Sequence, residues 1–173
     1  MSAIRSPAVA GMFYPAEPRQ LAHEVQEFLR EANPCTLNPK ALIVPHAGYI
    51  YSGAIAASAY AALKSIAPRI SRVVLLGPTH RVAVQGLALP DAEAFDTPLG
   101  RIPLDTDTMR TLTKLPQVVV SNEVHELEHS LEVQLPFLQS MLNDFSLVHW
   151  QSAWQRQRKW PKYWRRLGVE QKH

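Results

Sequence analysis

Two histidines each follow a short apolar run, and each stands close to glycine and proline. His46 comes after Ala41–Val44 and Pro45, and His80 comes after Arg72–Leu76 and a Gly-Pro-Thr turn. Such runs are typical of strands, and ligands in parallel α/β sheets sit just beyond the carboxyl ends of strands. Neutral imidazole is a common ligand for zinc, iron and copper. The pattern predicts that His46 and His80 bind a metal ion; the alternative is that each ring bonds to a loop carbonyl.

A second polar cluster, VHELEHSLEV, contains His129 and the neighbouring Glu128. His129 could be a further ligand or a general base, and Glu128 could line the pocket and accept a hydrogen bond. The spacing of His125 and His129 formally matches the HExxH pattern of zinc proteases, but the flanking residues predict a loop and no third ligand follows. The alternative is that Ser130, Glu132 and Val133 form an ordinary helix N-terminus, where acidic residues suit the helix dipole.

Three hydroxyl side chains lie next to the two histidines in the sequence. Tyr49 and Tyr51 follow His46, and Thr79 precedes His80. We expect these three residues to line the pocket, although tyrosines at a strand end more often pack against the core.

The rest of the chain alternates between short apolar runs and amphipathic segments. We expect helices at 18–32, 53–66, about 106–115 and 131–142, and strands at 41–45, 72–76, 84–89, 118–120 and from 145 onward. Pro136 is expected to kink the last helix. This alternation predicts an α/β fold with a mostly parallel sheet flanked by helices.

Charge is unevenly distributed along the chain. Residues 1–148 carry 11 Lys and Arg against 14 Asp and Glu, whereas residues 149–173 carry seven basic residues and one acidic residue. The body is therefore mildly acidic, and no nucleic-acid partner is predicted for it. No apolar run approaches the roughly 20 residues that span a bilayer, so no membrane association is predicted. The single Cys35 fits a reducing, cytoplasmic compartment.

The last 25 residues, 149–173, differ from the rest in composition and contain all four tryptophans. They show neither strand alternation nor an apolar helix face. One interpretation is a basic, aromatic interaction tail. The interpretation that we favour is a change of reading frame near Val148, which would truncate the domain formed by residues 1–148.

Five motifs occur in order: PAVAGMFYPAEP, VPHAGYIYSG, LLGPTH, FDTPLG and EHSLEVQLPF. Together they resemble the Memo family, including the prokaryotic AmmeMemoRadiSam system protein B, over about residues 5–148. The resemblance implies a fold like that of the LigB-type class III extradiol dioxygenases. Residues 1–148 would then be the N-terminal part of a Memo-like domain.

The resemblance also implies a dioxygenase-like pocket that holds non-haem iron or copper. His46 and His80 match family metal ligands, and His129 matches the histidine of the EHS motif near the pocket. The family's third ligand is a cysteine in a later half that has no counterpart here, so the ligand set is incomplete and enzymatic activity stays open. The implied partners are an AMMECR1-like protein and a radical-SAM enzyme. The alternative is a non-catalytic module that binds a peptide, a phosphopeptide or a small anion.

Overall fold

The computed structural model describes residues 4–33 and 37–152. The described helices are α1 (Pro18–Glu31), α2 (Tyr49–Ala61), α3 (Thr106–Leu112), α4 (Asn122–Glu126) and α5 (Leu135–Met141). The described strands are β1 (Ile4–Arg5), β2 (Arg72–Pro78), β3 (Leu87–Leu89), β4 (Ala94–Thr97), β5 (Gly100–Pro103), β6 (Val118–Val120) and β7 (Ser146–Ser152). Short 3-10 turns lie at Ala67–Arg69 and Glu132–Gln134.

The described strands form two sheets, with the orders β2-β7-β3-β6 and β1-β4-β5. The pairs β1–β4, β2–β7 and β3–β6 are parallel, whereas β3–β7 and β4–β5 are antiparallel. The α/β prediction is confirmed, although the strands divide between two mixed sheets. Helices α1, α2 and α5 pack on one another. The core includes Leu21, Phe95, Phe137 and Leu147, all fully buried.

Local sequence explains several element boundaries. The Glu17 carboxylate caps α1 by accepting hydrogen bonds from two backbone N–H groups of its first turn. The Asp105 side chain accepts from Thr108 N and caps α3. Strand β7 is buried along most of its length, as expected for a strand covered on both faces.

The strand predicted at 41–45 is wrong. Residues 41–46 form no strand, and Ile43 is fully exposed at 101%. The physical reason is the lack of a partner strand, because among the described residues β2 pairs only with β7. Apolar character alone does not form the hydrogen bonds between strands that a sheet requires. Helix α2 begins at Tyr49, earlier than predicted, because Gly48 takes the N-cap position.

The kink predicted at Pro136 is also wrong. Pro136 lies in the first turn of α5, after the 3-10 turn at Glu132–Gln134. Proline is favoured there because its missing N–H would have no helical partner. Between β3 and α3 the chain forms the β4–β5 hairpin, where Gly100 adopts a φ of +118°.

The end of the chain is described only as far as Ser152. His149, Trp150 and Gln151 continue β7 and are buried, at 2%, 2% and 1% exposure. The rest of the predicted tail and Cys35 lie outside the described residues. Among the described residues, no helix has both the length and the apolar character needed to cross a bilayer.

Candidate metal site

Three histidine rings meet just beyond the carboxyl end of β2. The ring centres are 5.2 Å apart for His46 and His80, and 4.6 Å apart for His80 and His129. The centres of His46 and His129 are 6.1 Å apart. Donor atoms of His80, Glu128 and His129 all lie within 4.8 Å of one another. The structure therefore joins the two sequence clusters into one group with the donor types of a metal site.

Close packing of β2 against the loop after α4 brings these clusters together. A Cβ atom at Gly77 would lie 2.7 Å from Leu131 Cδ2 and 3.1 Å from the Ser130 hydroxyl, so a larger residue would force the Leu131 side chain to shift. The Ser130 hydroxyl donates to the Pro78 carbonyl at 2.8 Å. The Gly77–Pro78 end of β2 thus packs directly on the loop that carries the second cluster.

Glu128 is buried, and its carboxylate is saturated with protein donors. Oε1 accepts from His80 Nδ1 at 2.9 Å, from His129 N at 2.8 Å and from Ser130 N at 2.9 Å. Oε2 accepts from the His80 backbone N–H. Burial raises the pKa of the Glu128 carboxyl, but the hydrogen bonds from the His80 ring and from the Ser130 and His80 amides outweigh burial and lower the pKa to about 2. The ionised carboxylate therefore keeps the proton on His80 Nδ1 and leaves the Nε2 lone pair free.

The other two rings are also suited to coordinate a cation. Burial, followed by the charge of His80, lowers the pKa of His46. Burial lowers the pKa of His129 as well, although the Glu128 charge opposes that shift. Both imidazoles are therefore neutral at pH 7, which is the protonation state that binds metal ions.

The N-terminal segment also contacts this site through Phe13. The Phe13 ring lies 4.6 Å from the His129 ring, centre to centre. The Phe13 carbonyl accepts from Tyr49 N at 2.7 Å, just after the turn that carries His46. One residue therefore supports both the His129 loop and the start of α2.

The three residues predicted to line the pocket lie in different environments. Tyr49 is 3% exposed and its hydroxyl donates to the Val133 carbonyl at 2.8 Å, so it packs into the core. Tyr51 is 82% exposed, on the solvent side of α2. Thr79 is half-buried, and its backbone N–H donates to the Ser152 carbonyl at 3.1 Å. Only Thr79 directly adjoins the histidine group along the chain.

His125 faces the core, away from the three rings. It is 2% exposed, its Nε2 lies 3.2 Å from the Ala88 carbonyl oxygen, and its ring centre lies 5.1 Å from that of His149. Helix α4 ends at Glu126, so His125 and His129 do not share one helix face. The formal HExxH match therefore does not form a zinc-protease site.

Acid should destabilise the fold through His125. Burial, and then the charge of Arg5, lower the pKa of His125 to about 4, while the Ala88 carbonyl and the Glu128 charge oppose the shift. The unfolded chain binds this proton near pH 6.5, so stability is full above that pH and falls as the pH approaches 4. The free energy of unfolding falls by up to about 1.4 kcal/mol for each pH unit in this range, or by about 3 kcal/mol in total.

Denaturant unfolding of the wild type and of His125→Gln between pH 7 and pH 4 measures this effect. We expect the variant to lose less free energy of unfolding across that range. His149, which is also buried, retains its own acid sensitivity in this variant because burial is the main cause of its lowered pKa. His23→Gln on the exposed side of α1 is the matched control. Parallel pH profiles for the wild type and His125→Gln would contradict the assignment.

Sequence reasoning missed the pairing of two buried charges beneath the site. Arg5 and Glu132 form an ion pair at 2.7 Å, with side chains 9% and 0% exposed. Both belong to or adjoin the motifs quoted above, but nothing in their spacing indicates that two charges at distant positions pair in the core. A helical or strand period reports only local neighbours.

Comparison with known proteins identifies the family of this chain. The family model described as Memo-like protein matches residues 5–156, a range that holds all three site histidines. The chain belongs to the Memo family. It is 40% identical to a MEMO1 family protein of Aquifex aeolicus over 137 residues, which cover 79% of this chain and 49% of that protein. It is 37% identical to a MEMO1 family protein of Thermoplasma volcanium, over 84% of this chain and 54% of that protein.

A MEMO1 family protein of Aeropyrum pernix is 40% identical over 84% of this chain and 56% of its own length. The Memo chain described here thus spans about half the length of the curated relatives that it matches.

Proposed function

We propose that this Memo-family chain binds a first-row transition-metal ion through the imidazoles of His46, His80 and His129. The observation that supports it is the convergence of three rings from three separate segments, with centres 4.6–6.1 Å apart. Rings that share one ion through metal–nitrogen bonds of about 2.0–2.1 Å have centres about 5 Å apart. The donor set and the observed spacing therefore fit such an ion.

Glu128 acts as the outer carboxylate of this site. Its two oxygens already accept four hydrogen bonds, so the carboxylate has little free capacity for direct coordination. A carboxylate that accepts from the far nitrogen of a ligating imidazole orients the ring and raises its basicity. His80 therefore presents Nε2 to the ion.

Iron or copper is the ion that the family resemblance favours, and imidazole suits both. When bound, such an ion supplies Lewis-acid or one-electron chemistry. The three rings provide three nitrogens, and His80 is 40% exposed at the side chain, so a small molecule can approach from solvent. We propose dioxygenase-like chemistry for the complete family protein.

Metal titration of the purified chain tests the metal proposal. Apo protein is prepared by chelation and titrated anaerobically with Fe²⁺, Cu⁺, Co²⁺ and Zn²⁺, and bound metal is measured by elemental analysis. We expect about one ion per chain, and an affinity lower by at least about 100-fold in His46→Ala and His80→Ala, because losing a ligand costs more than losing an outer partner. His23→Ala, an exposed histidine on α1, is the control.

His129→Ala distinguishes the two roles of His129. A loss of affinity like that of His80→Ala assigns it as the third nitrogen ligand. Unchanged affinity would instead leave it as a general base beside the ion. Wild-type protein that binds no metal, or three alanine variants that bind as tightly as wild type, would overturn the metal proposal.

A second candidate is a non-catalytic module that binds a small anion or a phosphopeptide. Arg81 favours it, because it is exposed beside His80 and forms no ion pair with an acidic side chain of residues 4–33 and 37–152. Calorimetric titration of metal-free protein with phenyl phosphate tests the idea. Binding should weaken in Arg81→Gln. Binding that is unchanged in both Arg81→Gln and the triple histidine variant would exclude it.

The proposed partners come from the same resemblance, and the proposed compartment comes from the single Cys35. We propose a cytoplasmic protein that acts with an AMMECR1-like protein and a radical-SAM enzyme. Co-purification of the three from one cell extract, with and without His80→Ala, tests the association. No co-purification in either case would contradict it.

A further inference from the structure

The Arg5 guanidinium lies beneath the loop that carries Glu128 and His129, outside the histidine group itself. Its Nε donates to the His125 carbonyl at 2.7 Å and its Nη2 donates to the Glu128 carbonyl at 2.8 Å. Its Nη1 pairs with the Glu132 carboxylate at 2.7 Å. One planar side chain therefore holds three points of the 125–132 segment.

Arg5 itself is fixed from the opposite side. It belongs to β1, which pairs in parallel with β4 in the register Arg5 to Phe95. Its guanidinium carbon lies 5.1 Å from the centre of the Phe95 ring, a cation–π distance. The side chain is 9% exposed, so water competes little for its donors. The pairing of β1 with β4 thus positions the planar guanidinium of Arg5.

The 125–130 loop needs such an external support. It is neither helix nor strand after Glu126, so its carbonyls have no backbone N–H donors from regular secondary structure. The amides of His129 and Ser130 are turned toward the Glu128 carboxylate, which in turn holds the His80 ring. Movement of the Glu128 carbonyl would therefore displace the acceptor that orients His80.

We infer that Arg5 is a positioning residue that orders the 125–130 loop and thereby sets the geometry of the histidine group. Of its two tests, the metal-affinity measurement rests on the proposed function, whereas the amide-exchange measurement does not. Lysine cannot replace Arg5, because a single ammonium lacks the planar fork that reaches two carbonyls and a carboxylate together.

Amide hydrogen exchange of the metal-free protein is the first test. In Arg5→Lys, which keeps the charge opposite Glu132, we expect exchange at His129 and Ser130 to accelerate by about 10-fold or more, while β7 amides change little, because local opening is uncoupled from global unfolding. Arg5→Gln should show a larger effect. Arg101→Gln, which breaks an exposed ion pair with Asp96, is the control and should change neither region.

Metal affinity is the second test. We expect Arg5→Lys to bind Co²⁺ about 10–100-fold more weakly than wild type, with an altered ligand-field spectrum, as found for outer partners of metal ligands. If Arg5→Gln does not fold, Arg5→Lys decides alone.

Two outcomes would overturn the role of Arg5. One is folded Arg5→Lys protein whose His129 and Ser130 amides exchange at the wild-type rate. The other is uniform acceleration along the chain, which would make Arg5 merely structural. Wild-type protein that binds no metal would instead refute the proposed function, and the exchange experiment would still decide the role of Arg5.

Discussion

Replacing Glu132 by glutamine should lower the free energy of unfolding by about 3–5 kcal/mol, because removing one partner of a buried ion pair leaves the other charge unpaired. The Glu132 carboxylate accepts from Ala8 N, Val9 N and the Tyr14 hydroxyl in addition to its pair with Arg5. Burial, then the Glu132 charge, raises the pKa of Tyr14, so that hydroxyl remains a donor. An uncharged amide cannot satisfy all four partners.

Equilibrium denaturation in urea measures this loss. Glu123→Gln, on the exposed face of α4, is a control of the same chemical change and should stay within about 0.5 kcal/mol of wild type. The double variant Arg5→Met with Glu132→Leu should be more stable than the sum of the two single losses predicts, because it removes both charges together. A loss below about 1 kcal/mol in Glu132→Gln would show that the network contributes little.

Replacing Glu128 by glutamine should weaken metal binding by about 10–100-fold with little change in overall fold. The carboxylate accepts from His80 Nδ1 at 2.9 Å and thereby fixes the tautomer that presents Nε2. A glutamine amide has one acceptor oxygen for the donors that two carboxylate oxygens now receive. The His80 ring would then lose its fixed orientation.

Titration of Co²⁺ into Glu128→Gln and Glu126→Gln separates this effect from a general loss of charge. Glu126 is an exposed carboxylate two residues away, so its replacement changes the net charge equally without touching the His80 ring. We expect wild-type affinity for Glu126→Gln and weakened affinity for Glu128→Gln. Equal weakening of Co²⁺ binding in both variants would mean that Glu128 acts through long-range charge alone. Unchanged binding in both variants would mean that Glu128 does not orient His80.

The effect of each of these buried carboxylates depends on partners far away in sequence. Glu132 binds the N-terminal segment, and Glu128 binds the turn after β2. Sequence reasoning also interpreted Ser130, Glu132 and Val133 as a helix N-terminus, and a 3-10 turn that leads into α5 does begin at Glu132. Glu128 precedes that turn and bonds to the turn after β2.

The sequence by itself determined the local elements and the family. Apolar runs at β2, β6 and β7, the amphipathic α1, and the Asp105 cap depend on neighbours a few residues apart, so their patterns are readable. Equivalent positions after apolar runs also identified His46 and His80 as candidates. The motifs identified the family because five of them occur in order.

Only the tertiary structure decided how the site is assembled. It brought His129 to the other two rings, turned His125 into the core, and left the predicted strand at 41–45 unpaired. It also buried Arg5 against Glu132. These features depend on which distant segments meet, and a local hydrophobic period carries no information about that pairing.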